Sequence, residues 1–166
     1  IASSLVGSEM CIRDRWIDVE DIGTLAAINM AGYLTGCIQQ ATVKSRETSI
    51  RYVPFAMITI IASIVLEGQS TSFTSQSVLR LLCGWGAAHV VSGLPTLALE
   101  RVPERWRRKA TGLIMSGGGI GSLLGAVCIG FFAPESAPSA WNVLAVLTIV
   151  LSLPTLALLK RRKQLP

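Results

Sequence analysis

The sequence predicts an all-α membrane protein with five transmembrane helices. Of its 166 residues, 51% are hydrophobic and 15% are charged, and its mean hydropathy is +0.54. A soluble domain usually carries about 25% charged residues. The apolar residues fall into long runs that are separated by short polar stretches, which is typical of a polytopic membrane protein.

Five apolar runs approach the length of about 20 residues that a helix needs to cross a bilayer. The second run is the shortest, and we expect its helix to extend into the flanking residues. The short loops between the runs leave no room for a soluble domain. The predicted spans are residues 24–43, 52–66, 78–99, 110–132 and 141–159.

The distribution of basic residues predicts the topology. Alternate loops carry 12 lysines and arginines, which lie in residues 44–51, 100–109 and 160–163. The other loops contain acids but no lysine or arginine. The positive-inside rule places the basic loops in the cytoplasm of a multi-pass plasma-membrane protein. Because topology explains the net charge of +5, no nucleic-acid partner is expected.

The same topology predicts a further helix before the first span. Residues 16–23 are acidic and therefore external, so the span at residues 24–43 runs inward. An earlier helix is needed to bring the chain to the outside. Restoring this missing first helix gives a bundle of six.

Residues 1–15 are predicted not to belong to the protein. The stretch from Leu5 to Asp14 resembles the translation of a transposase-type sequencing-library adaptor. A signal peptide would need a basic start and a continuous apolar stretch, and neither is present. The membrane domain is therefore expected to occupy residues 16–166.

Two of the predicted helices share a spaced pattern. Residues 30–36 (MAGYLTG) align with residues 115–121 (MSGGGIG), and the two segments run in opposite directions through the membrane. With the missing helix counted, they are the second and fifth of six. Inverted three-helix repeats inside a six-helix half are a signature of major facilitator transporters. The alternative is a chance alignment of two glycine-rich helices.

The third span carries a motif that resembles a known family. Residues 80–88 (RLLCGWGAA) are similar to the RxxxGxGAA pattern on helix four of the major facilitator superfamily. Residues 31–36 and 117–121 resemble segments of its YbfB/YjiJ branch. The resemblance runs from residue 16 to the end. It implies most of the N-terminal half of a secondary transporter that moves a small solute by alternating access, with the C-terminal half as the missing partner.

Two family motifs are not intact in this sequence. The region of residues 36–51 has no Asp-Arg pair and no second glycine where the loop motif between helices two and three would require them. Gly119 is followed by Ile120, whereas the antiporter motif of helix five would have proline. The resemblance therefore does not extend to drug–proton antiporters.

Polar residues inside the spans are the candidates for binding substrate or a coupling ion. The resemblance implies that Arg80 couples cation movement to substrate binding, and the alternatives are a structural anchor or a side chain that snorkels outward. His89 is interpreted either as a proton relay or as a neutral packing residue. The full set of candidates is Arg80, His89, Asn29, Tyr33 and Gln39.

Arg80 has no acidic partner within the five predicted spans. The acids after residue 15 are all predicted to lie in external loops, except Glu47 and the two glutamates of residues 100–109 in cytoplasmic loops. We therefore expect the partner of Arg80 to be a carbonyl group, a loop acid, the substrate or the missing helix. Trp141, at the start of its span, is interpreted as an anchor at the membrane interface.

Glycines at helical spacing are predicted to let helices approach closely, as a rocking transporter requires. The predicted packing residues are Gly32, Gly36, Gly84, Gly86, Gly117, Gly121 and Gly125.

The sequence contains no pattern that predicts a metal, a cofactor or a catalytic centre. Its four cysteines form no CxxC pair, and the spans have no cluster of His, Asp and Glu. An enzyme is therefore not expected. The expected partners are the lipid bilayer, a small solute and a coupling proton. The alternative function is a stand-alone membrane scaffold or channel-like protein.

We predict that Ser72→Cys is labelled by a membrane-impermeant maleimide in intact cells, whereas Arg105→Cys is labelled only after lysis. The natural cysteines are removed first. Labelling of position 105 but not 72 in intact cells would overturn the predicted topology.

Overall fold

The computed structural model describes residues 19–43, 46–99, 102–132 and 137–162. These residues form five α-helices and no strand: α1 (Val19–Thr42), α2 (Arg46–Glu67), α3 (Phe73–Leu99), α4 (Glu104–Phe132) and α5 (Ala137–Arg162). Each helix begins four to six residues before the predicted span. The prediction stopped each span at flanking polar residues, whereas helical hydrogen bonding continues through them.

Two helices are long and apolar enough to cross a membrane by length and composition alone. They contain the segments Phe73–Thr96 and Glu104–Cys128, and α5 contributes the shorter apolar segment Ser139–Thr155. Only 6% of the α4 window is buried, whereas the core helix of a soluble protein would be mostly buried. Two of the five predicted spans therefore meet this criterion, and the other three stay predictions.

Helix α3 is the centre of the described bundle. It packs extensively against α1 on one side and α2 on the other. Helix α5 packs against α2, and α4 makes smaller contacts with α5 and α3. Because α3 is enclosed in this way, its polar side chains can be withdrawn from the surface.

The contact between α1 and α3 is made by backbone atoms at two glycines. A Cβ atom on Gly84 would overlap the carbonyl oxygen of Asn29, and one on Gly32 would overlap the carbonyl oxygen of Leu81. One turn further along α1, a Cβ on Gly36 would lie 2.6 Å from the Cβ of Ala88. Any side chain at these positions would force the helices apart.

The opposite face of α3 uses a glycine in the same way toward α2. A Cβ on Gly86 would lie 2.8 Å from Ile60 Cγ1 and 3.0 Å from the carbonyl oxygen of Ala56. Since successive helical residues are about 100° apart, Gly84 and Gly86 point to nearly opposite sides. This spacing lets α3 approach both neighbours.

A Cβ on Gly117 or Gly121 would meet no atom within 4 Å among the described residues, so the packing role of these two glycines stays a prediction. Gly125, by contrast, is buried.

We predict that Gly84→Ala lowers the thermal unfolding temperature, because its methyl group would overlap α1 at a cost of about 1–3 kcal/mol. The matched control is Gly118→Ala, whose methyl group meets open space. That control should be neutral or stabilising by up to about 1 kcal/mol, since alanine favours helix over glycine. Equal unfolding temperatures for the two variants would contradict the close α1–α3 contact.

Candidate functional site

Helix α3 carries two separate groups of buried polar side chains. Arg80 is 4% exposed and His89 is fully buried. The two residues are nine positions apart, which corresponds to about 13 Å along the helix axis. We call the residues around the first the Arg80 cluster (Glu67, Gln76, Ser77, Arg80 and Trp141) and those around the second the His89 cluster (Gln39, Gln40, Tyr52, Trp85 and His89).

Arg80 lies deeper in its helix than the predicted span implied. Helix α3 begins at Phe73, so seven residues, or about 10 Å, precede Arg80. Its Nε atom is 3.5 Å from Glu67 Oε1, and its guanidinium carbon is 5.1 Å from the centre of a Trp141 ring. The side chain therefore faces the interior of the bundle instead of snorkelling outward.

Glu67 is not the solvated loop acid that the sequence predicted. It is the last residue of α2 and is 1% exposed. The prediction ended the span at Leu66 because the next residue is charged. Its position directly after an apolar run was the available signal, because a residue that continues a buried helix can be buried with it.

Trp141 is also not the interface anchor that its position predicted. It is 2% exposed and packs against the Arg80 guanidinium. A Cβ on Gly68 would lie 2.8 Å from Trp141 Cβ, so the glycine after Glu67 leaves room for this indole. An aromatic face and a carboxylate thus enclose one cation.

Gln76 connects the end of α2 to the start of α3. Its Nε2 atom donates hydrogen bonds to the carbonyl oxygens of Glu67 (2.9 Å) and Ser70 (2.8 Å), and the Glu67 carbonyl also accepts one from the Ser70 backbone N–H (3.3 Å). Because both partners can only accept, the orientation of this amide is determined.

Three oxygen atoms of the Arg80 cluster are buried without a hydrogen-bond partner among the described residues: Glu67 Oε1, Gln76 Oε1 and Ser77 Oγ. Leaving such an atom unsatisfied typically costs about 1–3 kcal/mol. Several in one corner of a structure indicate a functional candidate.

In the His89 cluster, by contrast, the hydrogen-bond roles are determined by one donor. The indole Nε1 of Trp85 can only donate, and it lies 2.7 Å from Gln39 Oε1. His89 Nε2, at 3.2 Å from the same oxygen, must therefore carry a proton. In a neutral ring Nδ1 then accepts, and Gln40 Nε2 lies 2.5 Å from it as the donor.

The His89 ring is also held by aromatic contacts. Its centre is 4.5 Å from the Trp85 ring centre and 5.1 Å from that of Tyr52. Gln39 and His89 were both predicted as site residues, and the structure brings them together. Gln40 and Trp85 were not predicted as partners, since a helical sequence does not show which neighbour a polar side chain reaches.

Asn29 and Tyr33 lie at the α1–α3 contact and outside both clusters. Both side chains are half-buried. The carbonyl oxygen of Asn29 and the backbone nitrogen of Tyr33 border Gly84. Their close contacts with α3 are thus made by backbone atoms, and a role in substrate binding stays a prediction.

An apolar cavity of about 320 Å³ lies between α2, α3, α4 and α5. Its lining includes Met57, Val90, Gly121, Leu144 and Ser152, but none of the five predicted coupling residues. Among the described residues, no group of three or more His, Cys, Asp or Glu side chains is placed to hold a metal ion. The two polar clusters are therefore the candidate functional sites of the described bundle.

One family matches nearly the whole chain. The sequence model of the family described as "Uncharacterised MFS-type transporter YbfB" matches residues 9–165. The match overlaps residues 9–15 of the segment predicted to be adaptor-derived, which lies outside the described residues. No solved structure matches the chain.

We predict that imidazole ¹⁵N NMR of His89 near neutral pH shows a protonated Nε2 and an unprotonated Nδ1, because the two amides fix this tautomer. The His89→Gln variant identifies the signal by its loss. Two protonated ring nitrogens, or a protonated Nδ1 alone, would contradict the hydrogen-bond assignment.

Proposed function

Since the chain belongs to the YbfB-type family of major facilitator transporters, we propose that it moves a small solute across the plasma membrane by alternating access, as part of a secondary transporter. Membership makes it an integral membrane protein of a transporter class, which is not a class of enzymes. The family match over residues 9–165 is the observation that carries this proposal.

Arg80 is the residue on which we expect transport to depend most. A charged residue at the centre of a membrane helix costs about 2.5–3.5 kcal/mol on insertion scales, and such residues usually serve function. Its burial against Glu67 and Trp141 supports a role inside the bundle. The proposed role is to couple the movement of an ion to the binding of solute.

His89 ranks second as a coupling residue. Gln39 and Gln40 engage its two ring nitrogens, so the ring can take up a proton only if the Gln40 amide turns over. This arrangement favours the packing interpretation over the relay. It ties the cytoplasmic half of α1 to α3, under the proposed orientation with the basic loops inside.

Transport by these 166 residues alone is not expected. Major facilitator solute sites form near the midplane at the interface of structural repeats. The proposal therefore includes a first helix and a C-terminal half, and every transport experiment uses the undisturbed gene.

We predict that Arg80→Ala abolishes solute-driven proton flux while the protein still inserts into the membrane. The measurement uses proteoliposomes loaded with a pH-sensitive dye. Amino acids, sugars and carboxylic acids are added one at a time, and the solute with the largest wild-type response is the probe. Arg80→Lys, which keeps the charge but loses the planar fork, should retain only part of the flux.

The matched control is Arg108→Ala, which removes an exposed arginine near the start of α4 and should leave the flux unchanged. A wild-type flux in Arg80→Ala would end the case for coupling by this residue and make His89 the next candidate. If none of the solute classes produces a flux in the wild-type protein, the result would count against transport of these solutes.

A further inference from the structure

The Arg80 cluster contains a carboxyl group whose surroundings suit its neutral form as well as its charged form. Arg80 favours the carboxylate of Glu67, but its Nε atom lies 3.5 Å from Glu67 Oε1, which is longer than a normal charge-assisted hydrogen bond. The carboxyl group is almost fully buried, and its Oε1 accepts no hydrogen bond from the described residues. Carboxylates that stay ionised inside proteins usually accept several.

Potential acceptors for a protonated Glu67 belong to the same corner of the structure. The Gln76 amide is joined through its nitrogen to the Glu67 carbonyl group, and its oxygen has no partner among the described residues. The hydroxyl oxygen of Ser77, the residue after Gln76, is also buried without a hydrogen-bond partner among the described residues. A protonated carboxyl group has a hydrogen to donate, whereas a carboxylate can only accept.

We propose that Glu67 is a proton-binding site linked to Arg80, and that its protonation releases Arg80 from α2. The inference rests on the proposed transport function, in which Glu67 would be the group that carries the coupling proton. A proton from water forms an O–H bond at the carboxylate, and Arg80 keeps its own proton. The net charge of the pair rises from zero to +1, and the attraction that holds α3 against the end of α2 is lost.

The site lies next to a polar turn. Glu67 is followed by residues 68–72, in which Gln69, Thr71 and Ser72 are exposed. In the proposed topology this turn faces the outside. The path from external water to the carboxyl group is therefore short, although the group itself is buried.

Among the residues that the structure describes, few ionisable groups surround Glu67. Helix α3 contributes Arg80, whose charge acts on Glu67. It also contributes the Cys83 thiol, on which the charges of Glu67 and Arg80 act. Helix α5 contributes Trp141, which does not ionise, and no charged residue between Ser139 and Thr155. On α1, half-buried Asp21 is the described acid at the same end of the bundle.

The electrostatics of Glu67 agree with this geometry. Glu67 follows the predicted span at residues 52–66. Burial raises the pKa of its carboxyl group to about 7, against the opposing effect of Arg80. A group of this kind changes its protonation within the physiological range, where the ordinary pKa of glutamate would leave it ionised.

The test is infrared difference spectroscopy of the intact gene product in lipid nanodiscs, titrated from about pH 5 to pH 9 around the expected midpoint. We expect the C=O stretch of a protonated carboxyl group to appear as the pH falls. Glu67→Gln should remove this band, and the matched control Glu104→Gln, at the exposed start of α4, should keep it. Arg80→Gln should move the midpoint upward by about one pH unit or more, since the nearby cation favours the carboxylate.

A wild-type protein without this band, or a band that persists unchanged in Glu67→Gln, would overturn the proposal. If Glu67→Gln does not fold, the Arg80→Gln shift decides, because that variant keeps the titrating group. An unchanged midpoint in Arg80→Gln would also contradict the link. The readout needs no solute, so its failure is distinguishable from failure of the transport proposal.

Discussion

The backbones of α1 and α3 touch at Gly32 and Gly84, and the rest of the described structure depends on this contact. Each glycine faces a carbonyl oxygen of the other helix at a distance that excludes any side chain. Such an approach brings two helices as close as their backbones permit, so that dispersion contacts and weak polar contacts can form along the whole pair. A larger residue at either position would separate the helices and everything that lies between them.

This close approach explains how the polar side chains of α3 are buried. The amides of α1 reach His89 only because α1 lies directly against α3, and Gly86 gives α2 comparable access from the other side. The two clusters nevertheless differ in a physically important way. Around His89 each ring nitrogen has a suitable partner, so the cluster is suited to holding two helices together. Around Arg80, buried oxygens lack partners among the described residues, so they are available to accept a hydrogen bond from a protonated Glu67.

Much of this arrangement was predictable because the apolar composition of membrane helices can be recognised in the sequence. The apolar runs located all five helices, and the glycine pattern identified the residues at the α1–α3 contact. The motif around Arg80 led to the family that the comparison supports. The helix starts were placed too late, since polar residues at a membrane boundary extend a helix as readily as they end it.

The misjudged residues are those whose environment depends on tertiary contacts. Glu67 follows an apolar run in the manner of a loop acid, and only the positions of Arg80 and Trp141 show that it is buried. Trp141 likewise begins an apolar segment, as an interface anchor would, until α2 and α3 are placed beside it. For Gly117 and Gly121 the pattern indicates a packing face, but periodicity does not show which helix covers that face, and their role stays a prediction.

Disulfide cross-linking of Gly36→Cys with Ala88→Cys tests the α1–α3 contact most directly. A Cβ at position 36 lies 2.6 Å from that of Ala88, so relaxation by about 1 Å gives disulfide geometry. The intact gene product, without its natural cysteines, is oxidised in membranes, and linked peptides are quantified by mass spectrometry. We predict rapid linkage for this pair and little for Ile38→Cys with Ala88→Cys, because Ile38 is exposed on the outer face of α1. Equal linkage of the two pairs, or none in either, would contradict it.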